Sequence, residues 1–187
     1  MASRFYRPAV AVLAFVLMVV MVLSAIGIGA YRSFAQAREN VASDRDQLIQ
    51  LVTARHGAAN NILTVAERHL PADDPDVAAL RTALAYSRGN LPMDRFWALD
   101  DTIGRSADAV LAALRTLGSV QTDERDRMYI DQMLPKAMDE TARMLTDAPY
   151  NRSAGAFNER LNTQFSGRVA QLIGIKPFPL FQREGGL

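Results

Sequence analysis

The first pattern along the chain is an unbroken apolar run, PAVAVLAFVLMVVMVLSAIGIGAY, in which no residue from Ala9 to Ala30 is charged. A helix of roughly 20 apolar residues is long enough to cross a ~30 Å hydrocarbon core, so the run predicts a transmembrane helix over residues 9–30 behind a short tail, 1–8. Beyond it, Tyr31 to His69 holds no Pro and only one Gly, Gly57, while Val41, Leu48, Val52, Ala59, Ile62 and Ala66 recur at spacings of three, four and seven. That spacing draws a narrow apolar seam on one helix face. One long helix is therefore expected to leave the membrane and enter the domain, stopping at Pro71.

Asp74-Pro75 supplies an N-cap and a first-turn proline for a second helix, Pro75 to Arg88, which Gly89 to Pro92 interrupts. Asp94 is expected to cap a third helix, whose seam Phe96, Leu99, Ile103, Ala107, Val110, Leu114 and Leu117 is the most regular in the chain. Trp97, one step off that seam, should be half-buried. Gly118 is read as its end, and Thr122-Asp123-Glu124 as the start of a fourth helix with acids near the positive end of its dipole. Ile130, Met133, Ala137, Thr141 and Met144 share one face of it, with Pro135 as a kink or break. After Pro149 a last helix is expected from Tyr150 to Ile173, with Ala154, Phe157, Leu161 and Leu172 inward and Gly174 as its C-terminal glycine. No segment alternates with period two, so a sheet is excluded. The fold class is all-α: an N-terminal transmembrane helix continuing into an elongated, mostly antiparallel helical bundle over 31–175, then a Pro/aromatic tail over 176–187.

A cleaved signal peptide competes with the anchor, because Arg4 and Arg7 form a basic n-region and Gly27, Gly29 and Ala30 gather small residues at the far end. The run exceeds the roughly 7–15 residues of an h-region, and the helical pattern continues past it, which favours an anchor that stays attached. Orientation is close to a tie, with Arg4 and Arg7 on one side and Arg32, Arg38 and Arg45 on the other. Without Arg4 and Arg7 the chain carries 19 basic against 20 acidic residues, interspersed, so no nucleic-acid groove is expected. The absence of Cys excludes disulfides, thiolate catalysis and Cys-ligated zinc.

Candidate chemistry is sparse. His56 and His69 are the only histidines and lie too far apart on one helix to share a metal, and Glu67-Arg68-His69 lacks the i, i+3 Glu-His spacing of a carboxylate-bridged site, so no metal or cofactor is expected. Arg55-His56 reads as a polar surface or a bundle contact. Asp73, Asp74 and Asp76 lack the glycine and terminal Glu of a calcium loop and sit where a helix cap is needed. No phosphate-binding glycine loop, nucleophile elbow or Ser-His-Asp pattern is found, and no enzyme is expected. The aromatic-Asn pair Tyr150-Asn151 recurs as Phe157-Asn158, about two helical turns on, so both lie on one face. Asn favours such a site when its amide fixes register against a neighbouring helix, and partner binding is the other use. In GIKPFPLFQREGGL two prolines prevent helix, while Phe178 and Phe181 offer apolar anchors for docking on the chain itself or on a partner.

Taken together, Tyr150-Asn151, Phe157-Asn158, Arg160, Val169-Ala170, Leu172, Gly174, Lys176-Pro177 and Phe181 resemble the ending of the LemA family, and Val41, Gln47, Arg55-His56 and Asn61 resemble its first long helix. The likeness departs from the family pattern in lacking an aromatic near Arg45, in having LVTA where a basic run precedes Arg55, and in Gln164-Phe165 where Phe-Pro is usual. It implies a small helical protein anchored once in a bacterial cell membrane, with no agreed active site. The expected partners are a lipid bilayer through residues 9–30 and an unidentified protein held by a binding or scaffolding surface; an envelope-stress or sensory helical module is the alternative.

Overall fold

The computed structural model describes residues 3–87 and 93–181, with side chains from Val10 onward except that of Asp94. Every regular element among them is helical and none is a strand. Helix α1, Ser3–His69, is unbroken from the apolar run through the seam, since nothing in it withdraws a backbone donor after Pro8. Its apolar stretch stands bare: Leu13, Phe15, Met21 and Leu23 are 60, 61, 66 and 62 % exposed. The chain forms two compact units, one of residues 1–42 and 153–178, the other of 43–152 and 179–187.

The larger unit holds a contiguous apolar core. Helix α2, Pro75–Tyr86, begins as expected, with the Asp74 carboxylate accepting from the N–H groups of Asp76 and Val77. Val77, Leu80 and Leu84 meet Ile62 and Ala66 of α1 and Ile103, Ala107, Val110 and Leu114 of helix α3, Met93–Arg115. Because α3 starts at Met93, Asp94 lies within its first turn instead of before it. Arg88 and the break at 89–92 lie outside the described residues. Gly118 does not close α3. The chain turns at Leu117, in extended backbone, and Gly118 opens a single-turn helix, α4, Gly118–Thr122. Asp123 then caps α5, Glu124–Met128, by accepting from the Asp126 N–H.

The fourth helical stretch corrects the expected register. Tyr129–Met133 forms a π turn, in which the Leu134 N–H reaches back five residues to the Tyr129 carbonyl, before α6, Leu134–Asp147. One extra residue in a turn rotates everything after it. Ile130 is therefore followed inward by Leu134, Met138 and Leu145, while the expected Met133 and Met144 are 50 and 46 % exposed and Ala137 and Thr141 only half-buried. Pro135 has no N–H to return to the Ile130 carbonyl five residues earlier, and the Arg115 Nη2 stands 3.5 Å from that oxygen.

The smaller unit contains residues 3–42 of α1, residues 153–163 of helix α7 (Tyr150–Thr163), and helix α8, Phe165–Leu172. The single last helix expected from Tyr150 to Ile173 is instead broken at Gln164, which is extended at φ −84°, ψ 147°. Gly167 explains the corner: a Cβ there would sit 2.3 Å from the Leu161 carbonyl oxygen, so only glycine lets α8 fold against the end of α7. The Gln171 Nε2 donates to that same carbonyl at 3.1 Å. Leu172, expected inward, is 87 % exposed because the corner re-aims the helix. Gly174 at φ 91° ends α8, with the Gly174 N–H on the Gln171 carbonyl and the Ile175 N–H on that of Ala170, the paired bonds of a Schellman cap.

Candidate functional site

Among the described residues, two designs bring buried polar groups together through tertiary structure. The first joins α7 to the tail. Asn158 accepts from the Phe178 N–H at 2.8 Å and donates from Nδ2 to the Phe178 carbonyl at 2.8 Å, so one amide holds one residue's backbone at both ends. In the other unit Asn151 does the same for Phe181, its oxygen accepting from the N–H at 2.8 Å and its nitrogen donating to the carbonyl at 2.5 Å. Beside it the Tyr150 hydroxyl donates to the Pro179 carbonyl at 2.6 Å. Burial raises the Tyr150 pKa above its ordinary 10.0, with Arg45 opposing.

These contacts explain why the pair repeats at seven. Seven residues of α-helix rise about 10.5 Å, and three residues of proline-stiffened extended chain span about 9–10 Å. The helix and the tail are thus commensurate at these two points. The aromatic members act as anchors: Phe157 meets Phe34 edge-on at 5.6 Å and Phe178 at 5.1 Å, while Phe181 meets the half-buried Trp97 at 4.8 Å. The expected helix partner for the Asn residues is corrected, since each amide binds tail backbone, and the tail docks on its own chain.

The second design repeats along α1. Arg55-His56 and Arg68-His69 are thirteen residues apart, which turns the second pair about 140° around the helix from the first. Each pair grips one aspartate that is 1 % exposed. Arg55 Nη1 donates to Asp100 Oδ2 at 3.1 Å, with His56 Nε2 at 3.3 Å from Oδ1, outside hydrogen-bond geometry. Gly104, one turn after Asp100, makes room for this grip, because a Cβ there would lie 2.5 Å from Arg55 Nη2. Arg68 Nη2 donates to Asp126 Oδ1 at 2.9 Å, and His69 Nε2 lies 2.8 Å from Oδ2.

With Nε2–H donating to Asp126, a neutral His69 ring leaves Nδ1 to accept from the Ser119 hydroxyl, 3.1 Å away. This hydroxyl–imidazole–carboxylate line borders an open cleft of about 880 Å³ that Asp123 and Met128 also line. It corrects the reading that no Ser-His-Asp arrangement exists. His69, Asp123 and Asp126 also bring ligand atoms within 4.8 Å of one another, a geometry the histidine spacing could not reveal. Those atoms are engaged: Asp126 by Arg68 and His69, and Asp123 by the Asp126 N–H, which lowers the Asp123 pKa from 3.8. Chemically, the arrangement locks three elements together around a buried carboxylate.

Among the other sequence candidates, Asn61, Lys176 and Pro177 are exposed and Gly174 serves the cap. Asp100, Asp126 and Ser119 were missed. The signal for the first two was present, since Asp100 stands between Phe96 and Ile103 on the apolar face and Asp126 four residues before Ile130. No family model, no curated protein and no solved structure matches this chain.

Proposed function

We propose that this protein is a single-pass membrane-anchored helical bundle of the LemA type, which binds or scaffolds another protein at a bacterial membrane and is not an enzyme. The observation that carries the reading is the continuity of α1, whose uncovered apolar stretch runs without a break into the packed seam. A side chain left bare along a whole apolar helix is stable in lipid and costly in water. Two facts support the non-catalytic part: Arg55, Arg68 and His69 are engaged by buried aspartates of other helices, and the aromatic-Asn residues hold the tail. Exposed polar faces of the bundle are then the surface left for a partner.

The test uses the full chain expressed with its own N-terminus. Carbonate-washed membranes should retain it, its mature N-terminal sequence should precede Ala9, and crosslinking before detergent extraction should give the same protein partner in repeated preparations. A mature sequence beginning near Tyr31 overturns the anchor, and no reproducible crosslink overturns the scaffold.

A further inference from the structure

In the smaller unit an apolar face is left uncovered close to the end of the apolar run. On α8, Phe165, Arg168, Val169 and Leu172 share one face by their i, i+3, i+4 and i+7 spacing, opposite the buried Gly167 and Ala170. Phe165 is 72 % and Leu172 87 % exposed, and Ile173 just after the helix is 51 % exposed. Contacts within the unit fix the level of this face along α1. Phe157 meets Phe34, and one turn later the Arg160 guanidinium donates to the Ser33 hydroxyl at 3.3 Å and lies 5.6 Å from the centre of the Phe34 ring. Successive residues of α7 thus meet earlier residues of α1, and α7 continues from Phe157 to Thr163, about 9 Å further in that direction at 1.5 Å per residue. Phe178 returns to the level of Phe157, so α8 lies beyond the end of α7. Ala30, at the end of the apolar run, is buried.

We propose that α8 is a membrane-contact foot, in which Phe165, Leu172 and Ile173 enter the headgroup–acyl boundary beside the α1 span while Arg168 and Lys176 hold anionic lipid phosphates. The inference rests on the reading that residues 9–30 cross a bilayer. A lipid surface is the occupant that the charge pattern selects. Between Arg160 and Phe181 there is no Asp or Glu, and Arg160, Arg168 and Lys176 are all exposed. Arg32 and Arg38 add to them, against Glu39 and Glu159 in the same unit. An exposed apolar face interleaved with cations, and with an acid-free flank, has the composition of an interfacial helix. The membrane-spanning helix in the same unit also brings that face to the bilayer without an entropic search.

The experiment uses the full chain carrying Trp97→Phe, reconstituted in vesicles of phosphatidylcholine and phosphatidylglycerol brominated on their acyl chains. Single tryptophans are introduced as Phe165→Trp, Leu172→Trp, Leu17→Trp within the span, and Tyr86→Trp as an exposed reference in the other unit. Leu17→Trp should be quenched, and Phe165→Trp and Leu172→Trp should be quenched at least about threefold more than Tyr86→Trp. Quenching at Leu17→Trp with only the Tyr86→Trp level at the two foot positions overturns the foot and leaves the anchor standing. No quenching at Leu17→Trp overturns both. The chain has no cysteine, so a Leu172→Cys chain that forms a disulfide-linked dimer in the same vesicles without lipid quenching at position 172 assigns the face to a second copy instead. Combining Arg168→Glu with Lys176→Glu should weaken quenching at Phe165→Trp in the mixed vesicles and not in phosphatidylcholine alone. An equal response in both removes the phosphate contacts from the proposal.

Discussion

A side-chain amide can hold a backbone N–H and a backbone C=O at once, because its oxygen accepts while its nitrogen donates. Asn151 and Asn158 use both capacities, so Asn→Ala at either position strips two bonds from half-buried backbone. Each replacement should cost ~1–3 kcal/mol in thermal or denaturant unfolding. Asn158→Asp should also destabilise at neutral pH, since a carboxylate cannot donate to the Phe178 carbonyl; an unchanged midpoint for these variants would assign the pairs no structural weight. Tyr150 adds a pH signature. Its folded pKa is raised by burial, so below about 10 the folded and unfolded chains are both protonated and its contribution is intact. As pH rises past 10.0 the unfolded chain releases the phenolic proton first, and stability falls until the folded pKa is reached. Tyr150→Phe should flatten that alkaline decline in a pH series of denaturation midpoints.

At the scale of the element, two local departures from regular helix decide what faces the core. The π turn at Tyr129–Met133 is tested by paired truncations: Met138→Ala should cost ~2–5 kcal/mol as a buried side chain, and Met144→Ala below ~0.5 kcal/mol as an exposed one. Reversed costs would restore the uninterrupted register. The α7–α8 corner depends on Gly167, where an added methyl meets backbone oxygen atoms of Arg160 and Leu161 that cannot move aside cheaply. Gly167→Ala should destabilise by ~1–3 kcal/mol or more, with loss of amide-exchange protection around Leu161 and Gln171. At Gly104 the obstructing atom is the far end of the Arg55 side chain, so the corresponding substitution there is expected to displace a flexible group first.

On the scale of the whole molecule, one helix carries both an uncovered apolar stretch long enough to cross a membrane and a seam packed into protein. The side chains of α1 from Val10 to Ile28 are mostly exposed, whereas Val41, Leu48, Val52, Ala59 and Ile62 of the same helix are buried by protein. Placing arginines at Val16 and Val20 should oppose insertion by ~2.5–3.5 kcal/mol for each residue. A chain carrying Val16→Arg and Val20→Arg is expected in the carbonate-soluble fraction with the circular dichroism of its bundle retained. Retention of that variant in washed membranes would show that the run is not what holds the protein there.

The apolar run, the α1 seam, the Asp74 cap, the core face of α3 and the all-α class were determined by sequence alone, since periodicity and capping depend on residues within a turn or two of each other. The Gly174 cap is local in the same sense. Pro135 marked an irregularity in the fourth helical stretch, but not that it takes the form of a π turn, whose extra residue carries no distinctive type of its own. The corner at Gln164 was not legible either, since it depends on how closely Gly167 approaches a carbonyl two turns earlier. The Arg-His pairs were visible as residues, but their aspartates stand 45 and 58 positions away, on helices whose placement no local pattern specifies. The repeated Asn shows the division most directly. Spacing put both on one face of a helix; only the folded tail, with two backbone groups of its own to satisfy at each point, decided what that face was for.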